Sequence, residues 1–133
     1  MSSPFNKYLF IPFEPGGRDF DGCDCWGLVR LVFRCEGGIE LPDWRIACTR
    51  ARLINDRAQF ERSKWRQIDQ PAVLSVVAML NCENDPRLIN HFGVFVGNQR
   101  ILHTARGFAT ARRTRLDDPL WAHKIEGFYV PKT

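Results

Sequence analysis

No stretch of the 133-residue chain approaches the roughly 18 consecutive apolar residues that a membrane-spanning helix needs. A membrane span is therefore not expected. The N-terminal segment MSSPFNKYLFIPFEPGG is apolar only in patches, which Pro4, Pro12, Glu14 and Pro15 interrupt. It has no signal-peptide hydrophobic region, so the expectation is cytoplasmic synthesis without a signal peptide. Internal repeats, low-complexity tracts and composition breaks are also missing, which leaves one domain over 1–133 as the reading. Five cysteines are an odd number, so a fully paired disulfide framework is excluded and reduced thiols are expected. There is no C-x-x-C motif, which argues against a redox pair. Lysine is scarce: 15 of the 19 basic residues are arginine, and the net charge is +4. Arg106, Arg112, Arg113 and Arg115 form the densest basic group. It reads either as solvated surface or as a face for an anionic partner. No recognised nucleic-acid motif accompanies it, so nucleic acid is not an expected partner.

What is present is ordinary for a water-soluble globular chain: 44% hydrophobic and 26% charged residues, enough for one core. The first twenty residues read as loop and turn, punctuated by Gly16-Gly17. A helix is predicted to start at Asp24, a good N-cap type, and to stop at Gly37-Gly38. Its apolar residues Trp26, Leu28, Val29, Leu31, Val32 and Phe33 cover more than one stripe, so the helix is expected to be central. A second helix is predicted over about 47–62. QPAVLSVVAMLN reads as a buried strand, HFGVFVG and RILHT as a hairpin, and IEGFYVP as a last strand. A helix followed by an antiparallel meander is an α+β pattern.

DGCDCWGLVRLVFR holds the first candidate for chemistry. Cys25 falls in the first turn of the central helix, where the positive end of the helix dipole favours thiolate and unpaired backbone N–H groups can receive an oxyanion. Cys23 precedes the helix, and Cys35 sits at its wrong end. Cys48 and Cys82 have no motif beside them and read as small hydrophobes. A cysteine nucleophile needs a base. There are only three histidines, and His123 in DPLWAHK reads as surface. His91, Gly93 and Phe95 share one strand face, opposite Phe92, Val94 and Val96. His103 joins the His91 face only if the loop at GNQ has odd length or contains a bulge. It then lies opposite Gly93, where the missing side chain would let the Cys25 helix approach. Two alternatives stand beside this one. The histidines could be packing residues, or Cys23, Cys25, His91 and His103 could hold zinc. A C-x-C pair with one member inside a helix is unlike the usual zinc knuckle, and no metal or cofactor is expected.

PFEPGGRDFDGCDCWGLVRLVF resembles the nucleophile segment of NlpC-type cell-wall peptidases, typically PY-x-x-GG followed by DC-S-GLV. HFGVFVGNQRILHT resembles their base-bearing hairpin, typically HVGIYLGNG-x-x-IHA, with the same spacing of twelve between histidines. PAVLSVVAML matches the preceding strand more weakly, so the likeness runs from Tyr8 to Thr104. The resemblance implies a papain-like α+β fold, with the helix bearing the nucleophile packed on an antiparallel sheet. It assigns Cys25, His91 and His103 as nucleophile, base and polar third residue. The implied substrate is a short peptidoglycan peptide, often cut after γ-D-glutamate. DCWGL with GGRD upstream and GIELP downstream looks most like the phage-tail branch of the family. That branch implies other tail proteins as partners, delivery by a phage or prophage particle, and action at the periplasm or cell wall.

Two positions depart from the pattern. Phe13 stands where many members have tyrosine, and Trp26 replaces the serine that neighbours the pocket for the substrate's amine. Asp24 could still meet that amine, though helix capping is its more natural task. Phe13, Asp24 and Trp26 are thus the expected substrate contacts. The leading expectation is a thiol hydrolase in which His91 takes the Cys25 proton and later protonates the leaving amine, His103 holds the His91 tautomer, and water hydrolyses the thioester. The alternatives are a tail-assembly component with little or no activity, and an amidase or acyltransferase using the same three residues.

Overall fold

The computed structural model of the protein describes residues 3–47 and 49–132, so Cys48 lies outside the described residues. The segment read as loop contains a 3₁₀ turn, Asn6–Phe10, and a two-residue hairpin of β1 (Arg18–Asp19) and β2 (Gly22–Cys23). There follow α1 (Cys25–Gly37), α2 (Ala51–Phe60), β3 (Trp65–Ile68), β4 (Val76–Met79), β5 (His91–Phe95), β6 (Arg100–His103), β7 (Arg112–Arg115) and β8 (Ile125–Pro131). The architecture is α+β.

The central helix begins and ends where its capping residues place it. Asp24 is extended and accepts a 2.9 Å hydrogen bond from the Gly27 N–H, satisfying one orphan donor of the first turn. At the other end Gly38 adopts φ +64°. Its N–H reaches the Arg34 carbonyl and that of Ile39 reaches Phe33, both at 3.1 Å. Only a residue at ease in left-handed backbone closes a helix in this way.

The second helix is shorter than predicted. Its N-cap Arg50 makes no side-chain cap bond, and Ile54 is its one buried residue. With so little apolar face to hold it, the helix gives way after Phe60 to a 3₁₀ turn, Arg62–Lys64, and then to β3. Strands β3 and β7 were both missed. Arg66 and Gln67 in β3, and Arg112, Arg113 and Arg115 in β7, are exposed on edge strands whose stability comes from pairing rather than from an apolar stripe.

The six-stranded sheet is antiparallel, in the order β3-β8-β4-β5-β6-β7. The expected meander therefore holds from β4 to β7, but the last strand inserts between β3 and β4. The sheet is covered on both sides. Trp26, Val29 and Val32 of α1 belong to the larger core, with Val76, Ala78, Phe92, Val94 and Leu102 from one face of the sheet. The other face carries Val77, Met79, Phe95 and Ile101, against which Leu116, Trp121, Ile125 and Phe128 pack.

The arrangement of α1 corrects one expectation. The helix does not approach Gly93 on the His91 face; it lies on the opposite, Phe92–Val94 face. The space above Gly93 belongs to β6 instead. A Cβ there would sit 2.5 Å from Ile101 Cγ2 and 3.1 Å from His103 Cβ. Two neighbouring side chains lean into the gap and leave no room for a helix.

Candidate active site

The β5–β6 hairpin builds the histidine pair by register. Phe95 pairs with Ile101 and Val94 with Leu102, so the next step sets His103 opposite Gly93 and diagonal to His91. The Val96 N–H meets the Arg100 carbonyl at 3.1 Å, leaving a loop of Gly97, Asn98 and Gln99 with φ of 87°, 51° and 59°. Three residues give the odd count that the parity argument required. His91 Nε2 and His103 Nδ1 are 2.8 Å apart. A second diagonal step, from β6 to β7, continues the chain: His103 Nε2 lies 2.8 Å from Thr114 Oγ1. His91 Nδ1 remains for a further partner.

Both imidazoles are buried, at 3% and 0% exposure. The Trp121 ring lies 5.3 Å from His91 and 4.6 Å from His103, and Phe108 stands edge-on to His103 at 5.2 Å. Each of these aromatic rings carries a cation. Lys124 Nζ sits 4.6 Å from the Trp121 centroid, and the Arg112 guanidinium 3.9 Å from that of Phe108. This shell explains the charge state of the pair. Burial, then the His103 ring and Lys124, hold His91 well below the usual histidine range. Burial and Arg112 bring His103 down to about 4, against a smaller upward pull from Asp118. Both rings are neutral at pH 7, as a proton acceptor and its hydrogen-bonding partner should be.

Cys25 opens α1 and is 1% exposed. The next residue, Trp26, packs edge-on against Phe92 at 5.2 Å, and Phe92 is next to His91. That contact brings the N-terminal turn of α1 to the His91 end of β5. Asp24 ties this turn down. Its carboxylate accepts from the Gly27 N–H, from the Gly16 N–H at 2.9 Å and from Arg18 Nη1 at 2.6 Å. Gly27 is required at its position, because a Cβ would run into the Gly17 carbonyl.

The expected substrate contacts fare differently. Asp24 has no exposed surface and spends its oxygens on the cap and the ion pair, so it offers no face to a substrate amine. Trp26 is 1% exposed, stacks on Trp44 at 4.0 Å and donates its indole N–H to the Pro42 carbonyl at 3.0 Å, as a core residue. Phe13 is half-buried. It bridges to Cys23 and its N–H reaches the Ala109 carbonyl, which sets it between the segment entering α1 and the loop carrying Phe108. Cys23 is fully buried and donates its thiol to the Asp19 carbonyl at 3.1 Å; burial and the carboxylates of Asp24 and Asp19 push it up to about 12. Cys35 and His123 are exposed. Thr114 and Trp121 were not singled out from the sequence. Thr114 was hidden in the basic run RRTR, because β7 carries no apolar period and its register with His103 exists only in the folded sheet. Trp121 had no local signal.

A helix opened by a cysteine and packed on an antiparallel sheet, with a buried histidine pair on two adjacent strands of that sheet, is the arrangement that defines the class of protein. The sequence comparison agrees over nearly the whole chain: the NlpC/P60 family model matches residues 11–129, and the chain belongs to the NlpC/P60 family. A probable endopeptidase NlpC homolog of Haemophilus influenzae is 25% identical over 122 residues, covering 92% of this chain. The chain spans 56% of the length of that relative. Among solved structures, a Staphylococcus aureus protein described as similar to a lipoprotein of the NLP/P60 family superimposes with a TM-score of 0.66 at 20% identity, covering 96% of this chain and 38% of its own. The NlpC/p60 domain of the peptidoglycan hydrolase SagA gives 0.60 at 18%, covering 95% and 91%. These likenesses establish the fold.

Proposed function

We propose that the protein is a cysteine hydrolase acting on peptide bonds of peptidoglycan, with Cys25 as nucleophile, His91 as general base and His103 as the residue that orients it. The observation that carries this reading is the 2.8 Å contact between His91 Nε2 and His103 Nδ1, which commits one nitrogen of the base and reserves Nδ1 for a thiol. The Trp26–Phe92 packing sets the first turn of α1 at the end of β5 that carries His91. In the reaction His91 Nδ1 removes the Cys25 proton, and the sulfur attacks the scissile carbonyl. First-turn N–H groups of α1 face the developing oxyanion. The imidazolium returns its proton to the leaving amine, and water, deprotonated by the same nitrogen, hydrolyses the thioester. The substrate class is supported by family membership and by the names of the relatives, an endopeptidase homolog and a peptidoglycan hydrolase. The particular setting proposed is the tail of a phage or prophage particle, with other tail proteins as partners. It is supported by the likeness of GGRD, DCWGL and GIELP to that branch.

The test is incubation of purified protein with defined muropeptides, with products read by mass spectrometry. Cleavage at one peptide bond by the wild type and none by Cys25→Ala is expected. Equal cleavage by both proteins overturns the assignment. The tail setting is tested separately, by asking whether the protein co-purifies with intact particles.

A second reading, a tail component with slight activity on the same scaffold, is favoured by one observation: Cys25, His91 and His103 are 1%, 3% and 0% exposed. The muropeptide assay separates the two.

A further inference from the structure

The polar chain that starts at His91 does not end at His103. Thr114 Oγ1 lies 2.8 Å from His103 Nε2, and the residue is 8% exposed. It stands on β7 in register with Ile101, two residues beyond Arg112, the partner of His103. Its position thus repeats the diagonal offset that joins His91 to His103.

Two neutral imidazoles in contact have only two consistent proton arrangements, because each ring carries one N–H and one bare nitrogen. In the first, His91 Nε2–H donates to His103 Nδ1. His103 then carries its proton on Nε2 and donates to Thr114 Oγ1, and His91 Nδ1 is bare. In the second, the Thr114 hydroxyl donates to bare His103 Nε2, His103 Nδ1–H donates to His91 Nε2, and His91 Nδ1 carries a proton. Only the first arrangement leaves a nitrogen that can accept a thiol proton. It also tolerates the imidazolium that follows, because Nε2–H of His91 still finds a bare acceptor.

We infer that Thr114 is a positioning residue for the base: its hydroxyl oxygen accepts the His103 Nε2–H and so selects the tautomer that keeps His91 Nδ1 bare. This rests on the reading of Cys25 and His91 as nucleophile and base, but the tautomer itself belongs to the resting protein. Replacing Thr114 by valine removes the acceptor while keeping the shape. A buried N–H without a partner is costly, so the pair shifts toward the second arrangement.

The experiment is ¹⁵N-histidine NMR of the full chain, with turnover measured in parallel. Nε2-protonated signals for both His91 and His103 are expected in the wild type. Thr114→Val should move intensity toward Nδ1-protonated rings and lower kcat roughly tenfold with KM little changed. Thr114→Ser, which restores a hydroxyl, should recover both readings. Nδ1-protonated rings in the wild type overturn the inference even if Thr114→Val fails to fold. So does a folded valine variant with unchanged tautomers. If the wild type cleaves no muropeptide, the hydrolase reading fails while the NMR readings still decide the part of Thr114.

Discussion

His103 reaches His91 diagonally across the β5–β6 hairpin, with Nδ1 2.8 Å from the Nε2 of its partner. The geometry gives the two rings unequal tasks. His91 has a second nitrogen for the reacting group, whereas His103 spends its second nitrogen on Thr114.

That inequality predicts a graded set of variants. His91→Ala should abolish measurable turnover of muropeptides, because the base belongs to the bond-making unit. His103→Ala should reduce kcat by about 100-fold and leave a residue, since an orienting group acts only through the base. His103→Asn should recover part of the loss, because an amide oxygen also accepts the His91 Nε2–H. Equal rates for His91→Ala and His103→Ala would overturn the unequal roles, and a slower His103→Ala would reverse them.

Much of this site was legible in the sequence because it is built from local rules. Asp24 and Gly38 bound the central helix by capping chemistry, and His91, Gly93 and His103 could be set on one face by counting. The position of α1 was not legible. Gly93 advertised an open approach, but nothing in the chain said whether a helix or the side chains of Ile101 and His103 would take it. The same limit hid β3 and β7, whose charged outer residues carry no apolar period and which exist only by pairing with β8 and β6. It also hid Trp121, which reaches the histidines from a loop between β7 and β8.

The neutral histidines predict a pH dependence of stability. Unfolded, each takes up a proton near 6.5; folded, His103 does so only near 4, and His91 lies well below its usual value too. The unfolded state therefore binds more protons between these limits, and stability rises with pH across them. The protein should be at full stability above about 6.5 and lose up to about 1.4 kcal/mol through His103 for each pH unit down toward 4, with a further loss of the same sign from His91. Urea midpoints at pH 7.5 and pH 5 measure the loss, and His103→Asn should flatten the slope.

The thiols should separate by environment. Cys35 is exposed, while Cys23 is buried and held protonated up to about 12. Limiting iodoacetamide at pH 8, followed by peptide mapping, should label Cys35 readily and leave Cys23 unmodified in the folded protein. Labelling of Cys23 at the rate of Cys35 would mean that the β1–β2 hairpin opens freely.

Trp121 should control the charge state of the pair. Its ring packs on both imidazoles and carries Lys124 on its own face. Trp121→Ala admits water, which removes the main cause that keeps the rings neutral. The His103 titration, followed by NMR, should move up from about 4 toward the ordinary 6.5. Trp121→Phe keeps an apolar cover and should move it less. An unshifted titration in Trp121→Ala would assign the neutrality to Arg112 and Phe108 instead.

Gly93 offers the most direct test of how the sheet sets the site. An added Cβ would meet Ile101 Cγ2 at 2.5 Å, the Leu102 carbonyl at 3.0 Å and His103 Cβ at 3.1 Å. Gly93→Ala should therefore cost about 1–3 kcal/mol by overpacking and displace His103 from His91. The two effects have different sources and can be separated. Ile101 is fully buried, so Ile101→Ala alone should cost about 2–5 kcal/mol. It also removes the closest clash, so Gly93→Ala should cost less stability in the Ile101→Ala background than in the wild type, a coupling that a double-mutant cycle measures. Turnover should not follow stability. The Leu102 carbonyl and His103 Cβ still crowd the new methyl group in the double variant, so His103 stays displaced and kcat stays low. If kcat returned together with the urea midpoint, Gly93 would be serving the packing of Ile101 alone, and the placing of His103 would have to come from Thr114 and Trp121.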